Sequence, residues 1–160
     1  MIRLAIAAGL LVGVILGIAL FKPPPYMWHS GPDYDPGPEI CEAVLRAKLK
    51  EYKPTLPIYL SLPSPYLQKM VPDRLRDLNM NFGDATQAAV GKGGVLRDVK
   101  TGKKVLRWSI GLVEAKNPST VEVHFESFEA MDASTSETLK VEKIEGHWKV
   151  TGTVGDTIVN

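Results

Sequence analysis

The sequence predicts an α+β protein: an N-terminal transmembrane helix, then a small domain in which helices pack on a curved antiparallel sheet. Three observations lead there. Leu4 to Phe21 is a run of 18 uncharged, mostly apolar residues. Residues 39–78 carry helical spacing of apolar side chains, and residues 104–152 carry period-two alternation. Helical pattern early and strand pattern late imply one sheet covered by a helical layer. The chain has 160 residues, enough for one domain and an appendage. It divides into an anchor (1–22), a Pro/Gly-rich linker (23–38) and an extracytoplasmic domain (39–160).

The apolar run would rise about 27 Å as a helix, close to the hydrocarbon thickness of a bilayer. A signal peptide has a shorter apolar core and a small-x-small exit. Gly17-Ile18-Ala19 offers such an exit, but the run is longer than a signal core and Lys22-Pro-Pro-Pro follows it. A retained single-pass anchor is the favoured reading, with a cleaved leader as its rival. Arg3 and the amino terminus on one side, against Lys22 on the other, place the amino terminus inside and the domain outside the cytoplasm. Tyr26 and Trp28 suit the headgroup zone. Gly9, Gly13 and Gly17 recur every four residues, in line with Ala5. Small residues at that spacing let two helix backbones approach, so they are the candidate helix-packing face.

Within the domain, a helix is expected from about Pro38, ending before Pro54. Its apolar side holds Ile40, Cys41, Val44, Leu45, Leu49 and Tyr52, with Glu42, Arg46, Lys50 and Glu51 toward water. Ile58 to Leu62 reads as a short strand and Ser64-Pro65 as the opening of a second helix. Asp73 to Leu78 reads as a further turn or short helix, with Leu75 and Leu78 inward. Gly91-Lys92-Gly93-Gly94 lacks the spacing and the Lys-Ser/Thr pair of a phosphate loop, so it is read as a flexible loop. Four antiparallel strands follow: Lys104–Glu114, Thr120–Met131, about Thr138–Lys143, and one around Trp148 and Val150. The alternation slips at Ser127-Phe128, where a bulge would restore register.

This order, carried by EICEAVLRAKLKEY, IYLSL, KVLRWSIGLVE, VEVHFESFEA and LKVEKIEGHWKVTG, resembles the cone-shaped fold of the nuclear transport factor 2-like superfamily. More narrowly, it resembles small extracytoplasmic bacterial domains of unassigned function. The resemblance implies a cone-shaped domain and a location on the periplasmic side of a bacterial inner membrane. It does not choose a function, because that superfamily includes enzymes, binding modules and assembly domains.

Composition narrows the function. Setting aside Arg3 and Lys22, the remainder holds 17 basic and 18 acidic residues, which gives no footprint for nucleic acid. One cysteine, Cys41, supports neither an internal disulfide nor a thiolate metal site, and it falls on the apolar helix stripe. The candidate polar site is Arg107, Glu122, His124 and Glu126. A histidine between two carboxylates on one strand face can serve acid–base chemistry or a metal, and it is equally an ordinary wet face. No catalytic, cofactor-binding or metal-ligating residue is assigned, and no cofactor or specific small molecule is inferred. The expectation is a membrane-anchored, non-catalytic accessory or assembly subunit that contacts lipid and a larger integral membrane complex. A ligand-binding module free in the periplasm, and a small hydrolase or isomerase built on His124, are the alternatives.

Overall fold

The computed structural model describes residues 37–159. The anchor, the packing glycines Gly9, Gly13 and Gly17, and the interface residues Tyr26 and Trp28 lie outside the described residues. Among the described residues no helix is long and apolar enough to cross a membrane.

Helix α1 spans Gly37–Tyr52, with Glu39 in its first turn and Lys50 in its last, each matched to the helix dipole. It stops where Lys53 takes a left-handed φ of 45° ahead of Pro54. Ile40, Cys41, Val44 and Leu45 are buried as the apolar spacing requires, and Lys48 is buried with them. Strand β1 is Ile58–Ser61 and helix α2 is Pro65–Arg74. Ser64 caps α2, its Oγ accepting from the Leu67 N–H at 3.2 Å. Arg74 of α2 reaches Glu42 of α1 at 2.6 Å, and Arg46 of α1 reaches Asp77 in the 3-10 turn after α2 at 2.7 Å, so ion pairs tie α1 to α2 and to the turn that follows it.

Three short strands follow: β2 (Phe82–Asp84), β3 (Ala88–Val90) and β4 (Leu96–Asp98). The long strands are β5 (Leu106–Asn117), β6 (Thr120–Ala130), β7 (Ala133–Ile144) and β8 (His147–Val159). Among the described residues the main sheet has six strands in the order β2-β1-β5-β6-β7-β8, and β3 with β4 forms a separate hairpin. The Gly91–Gly94 segment is the turn of that hairpin, with Gly93 and Gly94 at φ 82° and 74°. A bridge from Val95 to Ala130 fastens the hairpin to the end of β6.

The predicted α+β class is corrected by this architecture. Among the described residues strand outweighs helix, 50% to 27%. The described residues hold two α-helices, and the sheet is mixed, since β1 runs parallel to both β2 and β5. The cone of helices on a purely antiparallel sheet is therefore not the fold. The physical reason lies in segments without apolar alternation. Residues 79–99, where the sequence reading assigns only the Gly91–Gly94 loop, supply β2, β3 and β4. Ser134-Thr135-Ser136 and residues 151–159 continue β7 and β8 because ladder hydrogen bonds form whatever the side chains are. The slip in β6 is accommodated between Phe128 and Ala130, just past Ser127-Phe128, so Ser127 stays on the inner face.

One face of the sheet carries Ile58, Leu60, Trp108, Ile110, Val121, Val123, Phe125, Leu139, Val141 and Trp148, which join the buried residues of α1 and α2 in one core. The opposite face carries Arg107, Glu122, His124 and Glu126, none of them buried.

Candidate functional site

The four predicted polar residues do share one sheet face, but each is tied to a different neighbour. His124 Nε2 and Ser136 Oγ share a hydrogen bond of 3.2 Å across the β6–β7 ladder. Arg107 donates to Glu126 at 3.3 Å and stacks over Phe128, 4.9 Å from the ring centroid. Glu122 pairs with Lys116 at 3.2 Å. A histidine–serine pair has the reach of a base and a nucleophile. Here it lies mid-sheet, where the neighbouring backbone N–H groups serve the ladder rather than a developing oxyanion. The carboxylates on either side along β6 are held by Arg107 and Lys116 instead of orienting the imidazole. The arrangement is a set of cross-strand ties. Among the described residues, no group of three or more acidic, histidine or cysteine side chains is placed to hold a metal.

A second polar cluster on this side belongs to the hairpin. Tyr59 of β1 donates its hydroxyl to Asp98 Oδ2 at 2.6 Å. Asp98 Oδ1 accepts from the N–H and hydroxyl of Thr101 at 2.6 and 2.7 Å. These donors hold the Asp98 carboxyl down at about 2, Tyr59 first among them, and the same bond raises the Tyr59 phenol above its ordinary value. Asp98 thereby clips the turn after β4 onto the sheet.

The inner face holds what the sequence reading did not single out. Lys48 of α1 and Glu137 of β7, both nearly inaccessible, meet at 2.6 Å between helix and sheet. Lys48 also reaches Glu51 at 2.8 Å, and its ammonium lies 5.5 and 5.6 Å from the rings of Tyr52 and Phe125. Burial pulls the Lys48 pKa down, but hydrogen bonds to Glu137 and Glu51 more than offset it, so the net shift is upward. A signal for Lys48 was present, since it follows Val44 by four and Cys41 by seven, inside the apolar stripe. Glu137 carried none, because Ser134–Glu137 reads as a polar approach to a strand.

Next to this pair, the sheet continues past the end of α1. The uncovered part of its inner face is a cleft of about 810 Å³ lined by Tyr52, Leu56, Leu106, Ser127, Thr135 and Val159, among others. Ser127 Oγ accepts from the indole N–H of Trp108 at 3.2 Å. The hydroxyls of Tyr52 and Thr135 lie 3.4 Å apart.

Among the described residues, the sheet's last strand, β8, has β7 as its sole ladder partner, and residues 151–159 are exposed. Val154, Ile158 and Val159 on it are 38%, 58% and 71% accessible. No protein-family model, curated protein or solved structure matches this chain.

Proposed function

We propose that the protein is a membrane-anchored, non-catalytic accessory or assembly subunit of a larger membrane complex, resident in a bacterial inner membrane with its domain on the extracytoplasmic side. The observation that carries this reading is β8: a long strand whose outer edge has no ladder partner among the described residues, with three exposed aliphatic side chains. Such an edge invites pairing with another chain, and natural proteins usually blunt it with lysine, proline or a covering element. Val154 and Ile158, on the outer face of the sheet with Thr138 and Ser136, are an apolar seam for a partner strand, with main-chain bonds supplying affinity. The polar face supports the same reading, since its charges are spent on ties within the sheet. The uncharged run 4–21 is the tether, and Gly9, Gly13 and Gly17 are the membrane-level contact.

The test uses the full chain in native membranes, with a photocrosslinker at Val154 or at Gly13, followed by extraction in mild detergent. The expected result is a discrete adduct from both positions to the same complex. A chain recovered only as an uncrosslinked monomer would count decisively against the assignment.

A further inference from the structure

The cleft beyond the end of α1 has a donor-rich floor. Ser127 is 92% buried, at 8% accessibility, and its oxygen already accepts from Trp108, so its own proton is left to donate. The hydroxyls of Tyr52 and Thr135 bond each other, which leaves one further proton without an acceptor. Around these groups stand the ring of Tyr52 and the side chains of Leu56, Leu106 and Val159. Charge in the cleft wall is balanced: Lys53 and Lys104 against Glu129 and Asp132. The ammonium deeper in, Lys48, is neutralised by Glu137. An apolar wall with a few convergent donors, and a volume inside the usual range for ligand sites, is the form that small-molecule pockets take.

We propose that this cleft binds a small uncharged molecule with an apolar, ring-sized body and a carbonyl-type acceptor directed at Ser127. A charged head is disfavoured, because the two lysines and two carboxylates of the wall leave no net charge to offset its desolvation. This goes beyond the assembly role and does not depend on it, since the cleft, Val159 included, lies on the inner face, whereas Val154 and Ile158 of the partner seam lie on the outer face.

Three probes of nearly one shape separate the possibilities: acetophenone, ethylbenzene and benzoate. The reporter is the indole N–H resonance of Trp108 in the full chain in detergent micelles, assigned with Trp108→Phe. Acetophenone should shift it saturably, and ethylbenzene should bind roughly 3- to 10-fold more weakly, the worth of one hydrogen bond. Benzoate should bind more weakly than acetophenone. Ser127→Ala should erase the preference for acetophenone over ethylbenzene. Ala133→Leu, at an exposed position of the cleft wall, should reduce binding of both neutral probes while leaving the core intact. The proposal fails if acetophenone gives no saturable shift up to roughly 10 mM, the range of weak fragment binding. It also fails if benzoate binds best, or if Ser127→Ala leaves the preference unchanged.

Discussion

Lys48 and Glu137 set the chemistry of the core at the scale of single residues. Two charges taken out of water are held by 2.6 Å of separation and by the aromatic rings around them. Removing one partner strands the other, so Lys48→Met should cost about 3–5 kcal/mol in urea unfolding. Replacing both, as Lys48→Met with Glu137→Leu, should recover most of that loss, because no buried charge is then unpaired. The raised Lys48 pKa adds a sign: its stabilisation is complete below about pH 10.5, the ordinary value, and is lost as pH climbs through the raised one. Asp98 works in the opposite direction. Its pKa is depressed from 3.8 to about 2, so its contribution is present above about pH 4 and disappears as pH falls through 2. Asp98→Asn should therefore flatten the pH dependence of the urea midpoint between pH 4 and pH 2. At this scale the sequence told half the story. The helical spacing that would have put Lys48 on the buried stripe went unused, and its partner lies 89 positions away in a polar stretch that the β6–β7 register brings to the inner face.

At the scale of elements, legibility followed apolar pattern. Helix α1 and strands β5 and β6 were readable because their buried side chains repeat at 3.6 or at 2. Ser64 and Pro65 marked the start of α2 by capping chemistry alone. What stayed hidden were elements defined by pairing: β2, three residues long, parallel to β1 and without alternation, is held in register by contacts far along the chain. Gly83 in β2 explains how closely that pairing is fitted. A Cβ there would lie 2.7 Å from Cε1 and Cζ of the Tyr59 ring, and the ring is fixed from its other end by Asp98. Gly83→Ala should push Tyr59 off Asp98 and cost about 1–3 kcal/mol, the usual toll of overpacking. Because it acts through the same bond, it should also weaken the acid sensitivity assigned to Asp98. A destabilised variant with unchanged acid behaviour would show that the ring yields without releasing the carboxylate.

For the whole molecule, the proposed role calls for two contact surfaces on one chain, joined by residues 23–36. Those 14 residues span at most about 50 Å when extended, so a tether of this length would limit distance without dictating which face meets the partner. Orientation must then come from the domain, and the free β8 edge is the element with apolar side chains to supply it. Two weak contacts joined by such a linker reinforce each other, since once one is made the second partner is present at an effective concentration near millimolar. The proposed assembly role therefore predicts a particular pattern of loss. Gly9→Leu with Gly13→Leu should leave the chain in the membrane fraction, because leucine keeps the run apolar, yet reduce its copurification with the complex. Val154→Lys with Ile158→Lys should reduce copurification as well, while leaving thermal unfolding of the domain nearly unchanged, since both positions are exposed. Combining the four substitutions should abolish copurification and still leave the chain in the membrane, a multiplicative loss that neither pair produces alone. If the β8 pair alone abolished it and the glycine pair did nothing, the run 4–21 would be a tether only, and the small-residue stripe would carry no contact.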